Sequence, residues 1–218
     1  MKRKGPADLF EFERSLLLRG ISCIAGVDEA GRGPLAGPVL AAAVVLPAEW
    51  ITGSLPGELR GLTDSKQLTA PQRDGFFAAL THSDQVQYAL GSSDVECIDQ
   101  FNILQGTYRA MRQALSQLRP PPMHVLVDGR FVPALPFPQT PLVKGDARSY
   151  SIAAASVLAK VTRDRIMIDL DRRYPVYGFA EHKGYATPRH LAALAQFGPC
   201  PCHRHSFAPI KASFRDLF

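Results

Sequence analysis

The stretch Gly26-Val27-Asp28-Glu29-Ala30-Gly31-Arg32-Gly33-Pro34 ends an apolar run in two adjacent acids and a glycine-bracketed arginine, and Val39-Leu40-Ala41-Ala42-Ala43-Val44-Val45-Leu46 follows closely. The second segment is apolar throughout and is closed by Pro47, the pattern of a strand buried on both faces. With a preceding strand over 22–28, the connection 31–38 is short enough to pair the two antiparallel. Neighbouring carboxylates repel each other, so at the end of a core strand they require a cation, either a basic side chain or a divalent ion. The glycines beside Arg32 let backbone donors and a guanidinium approach a ligand closely.

Working outward, residues 8–20 carry apolar positions at helical spacing with Gly20 as a stop, and 51–66 read as loop. Thr69-Ala70-Pro71-Gln72 is a capping-box start for a helix running to about Leu80. A strand is expected near 85–91, then helices over 93–99 and 102–118, the second stopped by Pro120-Pro121-Pro122. Residues 123–129 form a strand finishing in Asp128, and 142–146 a short strand finishing in Asp146. The longest helical pattern spans 147–172, with Asp146 at or just before its start, followed by a glycine-punctuated loop over 174–187 and a helix over 188–196. An initial hairpin followed by alternating elements gives an α/β class with a mixed sheet. The expected organisation is an N-terminal helix or extension (1–20), a main domain (21–172) and a C-terminal helical region with tail (173–218).

The chain has 218 residues, of which 46% are hydrophobic, and no apolar run long enough to span a bilayer. Residues 1–8 are basic but lead into charged sequence rather than an apolar segment, so no secretory signal is read. Four cysteines without a disulfide-scaffold density fit a reduced, cytoplasmic protein. The formal charge of +5 favours a polyanionic partner. Cys200-Pro201-Cys202-His203 has the donor types of half a zinc site, but no second Cys or His pair stands at matching spacing, so no structural metal is expected there.

Asp28 with Glu29, Asp128 and Asp146 all stand at expected strand ends, and ligands in α/β sheets collect at the carboxyl ends of strands. Each acid alone is equally a cap or turn residue. As a set without a His or Cys cluster, the four suit a hard ion, Mg²⁺ or Mn²⁺, and two such ions would clamp the attacking and leaving oxygens of a phosphodiester. Adjacent residues of a regular strand face opposite ways, so Asp28 and Glu29 share one metal pair only if the strand has ended or bulged, or if a backbone carbonyl substitutes. Ser149, Ser156, Lys160 and Arg163 recur at helical spacing as a polar stripe.

The runs 26–34, Thr63-Asp64-Ser65-Lys66, Val127-Asp128-Gly129, Val143-Lys144-Gly145-Asp146-Ala147, 151–164 and His182-Lys183-Gly184-Tyr185 together closely resemble bacterial ribonuclease HII, in the family's order, over about Glu13 to Lys211. The resemblance implies a ribonuclease H-like fold: a mixed β-sheet flanked by helices, with a helical C-terminal region. It implies a metal-dependent endonuclease that cuts on the 5′ side of ribonucleotides, in RNA–DNA hybrids and singly in duplex DNA, leaving a 3′-hydroxyl and a 5′-phosphate. By the same resemblance Asp28, Glu29, Asp128 and Asp146 are the catalytic metal ligands, and Gly31, Arg32 and Gly33 sense the ribose 2′-hydroxyl largely through backbone groups. Tyr185 stacks at the ribonucleotide. Ser65 and Lys66 form a phosphate-contacting loop, and Lys144, Lys160 and Arg163 are further nucleic-acid contacts, although Lys160 and Arg163 are equally placed to pair with Asp164 or another acid. Gln67 stands where a second basic residue is common. The runners-up are a related-fold nuclease, such as a junction resolvase or general hybrid nuclease, and a non-enzymatic nucleic-acid-binding module. The expected protein is a monomer acting in ribonucleotide removal from DNA, with a sliding-clamp contact conceivable through Ser213-Phe214-Arg215-Asp216-Leu217-Phe218.

Overall fold

A computed structural model describes residues 8–211. Its centre is a five-stranded sheet in the order β3-β2-β1-β4-β5, formed by β1 (Ile24–Ala30), β2 (Val39–Val45), β3 (Gln87–Ser93), β4 (His124–Asp128) and β5 (Gln139–Leu142). β1, β2 and β3 are antiparallel neighbours, whereas β4 and β5 run parallel to β1. The expected hairpin is therefore present, joined to parallel strands that need crossover connections.

The all-apolar β2 is buried at every position, and the period of a strand divides it between two helices. Ala42 and Val44 face the core built with α5 (Tyr150–Arg173), including Ala154, Val157 and Leu158. Ala41, Ala43 and Val45 face Ala110, Met111, Ala114 and Leu115 of α4 (Val95–Ser116). The remaining helices are α1 (Glu11–Leu17), α2 (Ala48–Thr52), α3 (Ala70–His82), α6 (Phe179–His182) and α7 (Pro188–Phe197). Among the described residues no helix is long and apolar enough to cross a membrane.

Several boundaries differ from the sequence expectation, each for a local reason. β1 does not stop at Asp28: pairing with β2 carries it to Ala30, opposite Leu40. The short strand expected at 142–146 lies earlier, because parallel pairing sets Val125 against Gln139 and Asp128 against Leu142. Lys144 then adopts a left-handed conformation (φ 56°), and Asp146 falls in a 3-10 turn, Gly145–Ala147, rather than at a strand end. Within 51–66, read as loop, α2 finishes at Thr52 and a 3-10 turn occupies Gly57–Leu59. The two helices expected over 93–118 are one broken helix, interrupted at Asn102 (φ 68°), whose Oδ1 accepts from the amides of Leu104 and Gln105. The capping box at Thr69 and Gln72 is formed as read.

Two features fix α5 against the sheet. At its start Ser149 caps the helix by accepting from the Ile152 amide, and buried Glu13 of α1 accepts from Ser149 Oγ at 2.6 Å and the Ser151 amide at 3.1 Å. Along its length α5 touches β1 backbone to backbone at Gly26, where an added Cβ would lie 2.2 Å from the Ser151 carbonyl carbon. Gly26→Ala is therefore expected to force the two elements apart and destabilise the protein by at least the ~1–3 kcal/mol typical of overpacking, read as a lower urea midpoint at unchanged slope.

Candidate active site

Residues 24, 26 and 28 of β1 share the sheet face under α5, whereas Ala25 and Val27 face α4. Asp28 therefore points toward the turn that precedes α5, where Asp146 lies, and Asp128 ends the adjacent parallel strand β4. The three carboxylates converge, each offering an oxygen within 4.8 Å of the others. Asp128 Oδ1 also accepts from the Gly145 amide at 2.7 Å, tying β4 to the Asp146 turn.

Glu29 is not in that group of three. Because β1 continues as a regular strand, its side chain leaves on the other face and pairs with Arg32 at 3.2 Å. It borders both the cleft containing Asp28 and a neighbouring one containing Asp128 and Arg130.

The cluster is poorly neutralised. Its ion pairs among the described residues are Lys66 with Asp146 at 3.9 Å and Arg32 with Glu29. Burial, followed by repulsion from Glu29 and Asp128, pushes the Asp28 carboxyl well above the usual range. Burial also raises Glu29 against the opposing pull of Arg32. Asp146 is raised to about 6 by burial and then by Asp128 and Asp64. Oxygen donors only, half-buried to buried and carrying excess negative charge, fit a hard divalent cation and fit no softer metal as well.

The cleft holding Asp28 measures about 330 Å³ and is also lined by Gly31, Arg32, Gly33, Ser65, Lys66, Lys160, Arg163 and Tyr185. Tyr185 is 48% exposed and its ring edge stands over Gly33. Lys66 is exposed at the cleft mouth. Ser65 is buried and receives a hydrogen bond from Ser156 Oγ at 2.7 Å, which fastens the 63–66 loop to α5. Lys160 pairs with Asp164 at 2.7 Å, and Lys144 is exposed outside this cleft. The polar stripe of α5 is thus largely internal: Ser149 caps the helix and Ser156 anchors the loop.

Arg163 has a different task from the nucleic-acid contact expected of it. It is 1% exposed, and its Nε, Nη1 and Nη2 donate to the carbonyls of Pro38, Lys183 and Ala36, each at 3.0 Å. Gly31 (φ 96°) makes room for it, since a Cβ there would lie 2.0 Å from Arg163 Nε. A second buried arginine, Arg204, escaped the sequence reading because nothing around it marks it as internal. It is completely buried, with Nε donating to Gly37, Nη1 to Arg32 and Pro34, and Nη2 to Gly31 and Gly37, at 2.6–3.0 Å. All five guanidinium donors are used. Across a planar trans peptide the carbonyl and the next amide point opposite ways. Turning the Gly31 and Arg32 carbonyls toward Arg204 therefore turns the amides of Arg32 and Gly33 away from it.

The sequence model of the family described as Ribonuclease HII matches residues 25–210. A Ribonuclease HII of Geobacter metallireducens is 49% identical over 207 residues, covering 95% of this chain and 93% of that protein. Among solved structures, ribonuclease H2 from Pyrococcus horikoshii OT3 superposes with a TM-score of 0.73 at 29% identity, over 89% of this chain and 98% of that one. The RNase HII in the PCNA:RNase HII complex from Archaeoglobus fulgidus superposes with a TM-score of 0.67 at 25% identity, over 84% and 93%.

Arg204→Lys keeps a charge but cannot span four carbonyls. It is expected to leave buried carbonyls unpaired, lower stability by about 1–3 kcal/mol, and speed amide exchange selectively over residues 31–37, as measured by hydrogen–deuterium exchange.

Proposed function

The chain belongs to the ribonuclease HII family, metal-dependent endoribonucleases acting on RNA–DNA substrates, and we propose that Asp28, Asp128 and Asp146 hold its divalent ions, with Glu29 at the margin of the same site. The observation that carries this assignment is the convergence of three carboxylates with too few cationic partners to neutralise them. Oxygen-only donors favour Mg²⁺ or Mn²⁺. Bound there, such ions supply an activated water and stabilise the departing 3′-oxygen of a phosphodiester.

The protein's own residues do the rest of the work. Asp28, Asp128 and Asp146 must be ionised to act as ligands, and the repulsion that raises Asp28 and Asp146 would be relieved by the cation. The amides of Arg32 and Gly33, presented by the Arg204 cradle, meet the ribose 2′-hydroxyl, the group that separates RNA from DNA. Tyr185 offers a stacking face at the same cleft, and Lys66 faces the phosphate. The scissile bond is on the 5′ side of the ribonucleotide, so hydrolysis leaves a 3′-hydroxyl and a ribonucleotide 5′-phosphate. The substrates are RNA–DNA hybrids and single ribonucleotides in duplex DNA, in the service of ribonucleotide removal. Cysteine usage too sparse for a disulfide scaffold supports work in the cytoplasm, where we take the protein to act as a monomer. The clamp contact through Ser213–Phe218 lies outside the described residues. It is supported by the paired aromatic and aliphatic anchors of that tail and by the Archaeoglobus fulgidus relative's complex with PCNA.

An end-labelled DNA duplex with one ribonucleotide is expected to be cut 5′ to it with Mg²⁺ or Mn²⁺ and not with chelator. Cleavage confined to long hybrids would remove the single-ribonucleotide part. Asp128→Asn is expected to lower kcat by more than ~100-fold while duplex binding changes little; full activity in that variant would overturn its role.

The raised Asp146 carboxyl also sets a pH dependence. A pKa raised on folding, from 3.8 to about 6, stabilises the metal-free fold below 3.8 and ceases to do so as pH rises through about 6. Metal-free protein is therefore expected to lose thermal stability relative to Asp146→Asn as pH rises across that window. Saturating Mg²⁺ should remove that loss in the parent and stabilise it beyond Asp146→Asn, and cleavage at limiting Mg²⁺ should weaken as pH falls below about 6.

A further inference from the structure

Behind the cleft, on the far side of the turn 31–38, Cys200, Cys202 and His203 bring two sulphurs and a ring nitrogen within 4.8 Å of one another. Cys200 Sγ lies 3.0 Å from Cys202 Sγ and 3.1 Å from His203 Nδ1, and all three residues are buried. Two sulphurs at that separation are inside ordinary van der Waals contact, an approach that an S–H···S hydrogen bond or a bridging cation accounts for.

The imidazole is held in place by hydrogen bonds at both ring nitrogens. His203 Nδ1 accepts from the Cys200 amide at 2.9 Å, which puts the ring proton on Nε2. That proton is donated to His190 Nε2 at 3.0 Å, and His190 Nδ1–H in turn bonds the Tyr185 carbonyl at 2.8 Å. Such an outer hydrogen bond is what orients a metal-binding histidine and fixes its tautomer; the Nδ1 lone pair, held here by the Cys200 amide with Cys200 Sγ 3.1 Å away, would exchange that amide for the cation.

We propose that Cys200, Cys202 and His203 form a structural site for a thiophilic divalent cation of the zinc class, separate from the carboxylate site and opposite to it in ligand preference. Thiolate and imidazole donors select zinc-like ions, whereas carboxylates select Mg²⁺ and Mn²⁺. Binding would release the thiol protons to solvent and leave a fourth position for water. The spacing argument against a metal assumed that a second pair was needed; three converging donors with one oriented from behind do not need it. The ion would fasten the segment that underlies the cleft. Cys202 O accepts from the Gly37 amide, Ala36 bridges His203, and Arg204 is the next residue.

The test is a Co²⁺ titration of the full chain, reduced and freed of metal, followed by near-ultraviolet and visible absorption. Thiolate-to-cobalt charge transfer arises only from sulphur ligands, so the carboxylate site is silent. Expected is one equivalent of Co²⁺ with charge-transfer and tetrahedral bands, retained in Asp128→Asn and lost in both Cys200→Ser and Cys202→Ser, whose fold is checked by circular dichroism. Zn²⁺ should displace the bands and raise the unfolding temperature by about 5–10 °C at a hundredfold excess over its dissociation constant, in the parent but not in Cys202→Ser. Absence of the bands, their survival in Cys202→Ser, or their loss in Cys23→Ser or Cys97→Ser would overturn the proposal. So would a thiol count showing that Cys200 and Cys202 form a disulfide in preference to binding the ion.

Discussion

The contact between β1 and α5 at Gly26 governs the geometry of everything functional in this protein. Because the strand and helix backbones touch there, the β1 face carrying Ile24, Gly26 and Asp28 is pressed toward the start of α5. Asp146 stands just before that start, held by the Ser149 cap and by Glu13 reaching in from α1. Parallel pairing then sets Asp128 beside both. A side chain at position 26 would widen the gap, and the three carboxylates would lose the spacing that brings their oxygens within 4.8 Å of one another.

The fold handles buried charge in two opposite ways on either side of the turn after β1. On the cleft side, carboxylates are gathered without enough partners, and their raised protonation equilibria record the cost. On the other side, Arg163 and Arg204 are as deeply buried but have their donors met by backbone carbonyls. A satisfied buried charge is a rigid structural device, and an unsatisfied one is a binding site awaiting its counter-ion. The turn 31–38 is the wall between them, which is how it can be stiff from behind while offering amides in front.

Much of this was legible in the residues. The unbroken apolar run of β2, the Thr69–Gln72 capping box and the acids at 28, 128 and 146 each carry their signal locally, through strand period, cap chemistry and charge at an element end. The conflict between Asp28 and Glu29 was also legible, since strand period alone puts them on opposite faces; with β1 paired to Ala30, Asp28 converges with Asp128 and Asp146 while Glu29 borders the same cleft. Arg163 and Lys160 look alike on a helical stripe, yet one is internal and bound to carbonyls while the other pairs with Asp164. That distinction depends on the loops packed against α5 and has no trace in local sequence.

The amino-acid order by itself determined the element types, the antiparallel start of the sheet, the α/β class and the carboxylates that make the site, because periodicity, capping and charge are properties of short stretches. Only the tertiary structure decided which of those carboxylates converge, that Asp146 belongs to a tight turn, and that Arg204 cradles the turn at 31–37. It likewise decided that His203 is held between His190 and the Cys200 sulphur. Those outcomes rest on groups far apart in the chain meeting at distances of about 3 Å, and such meetings are set by packing, which no local pattern encodes.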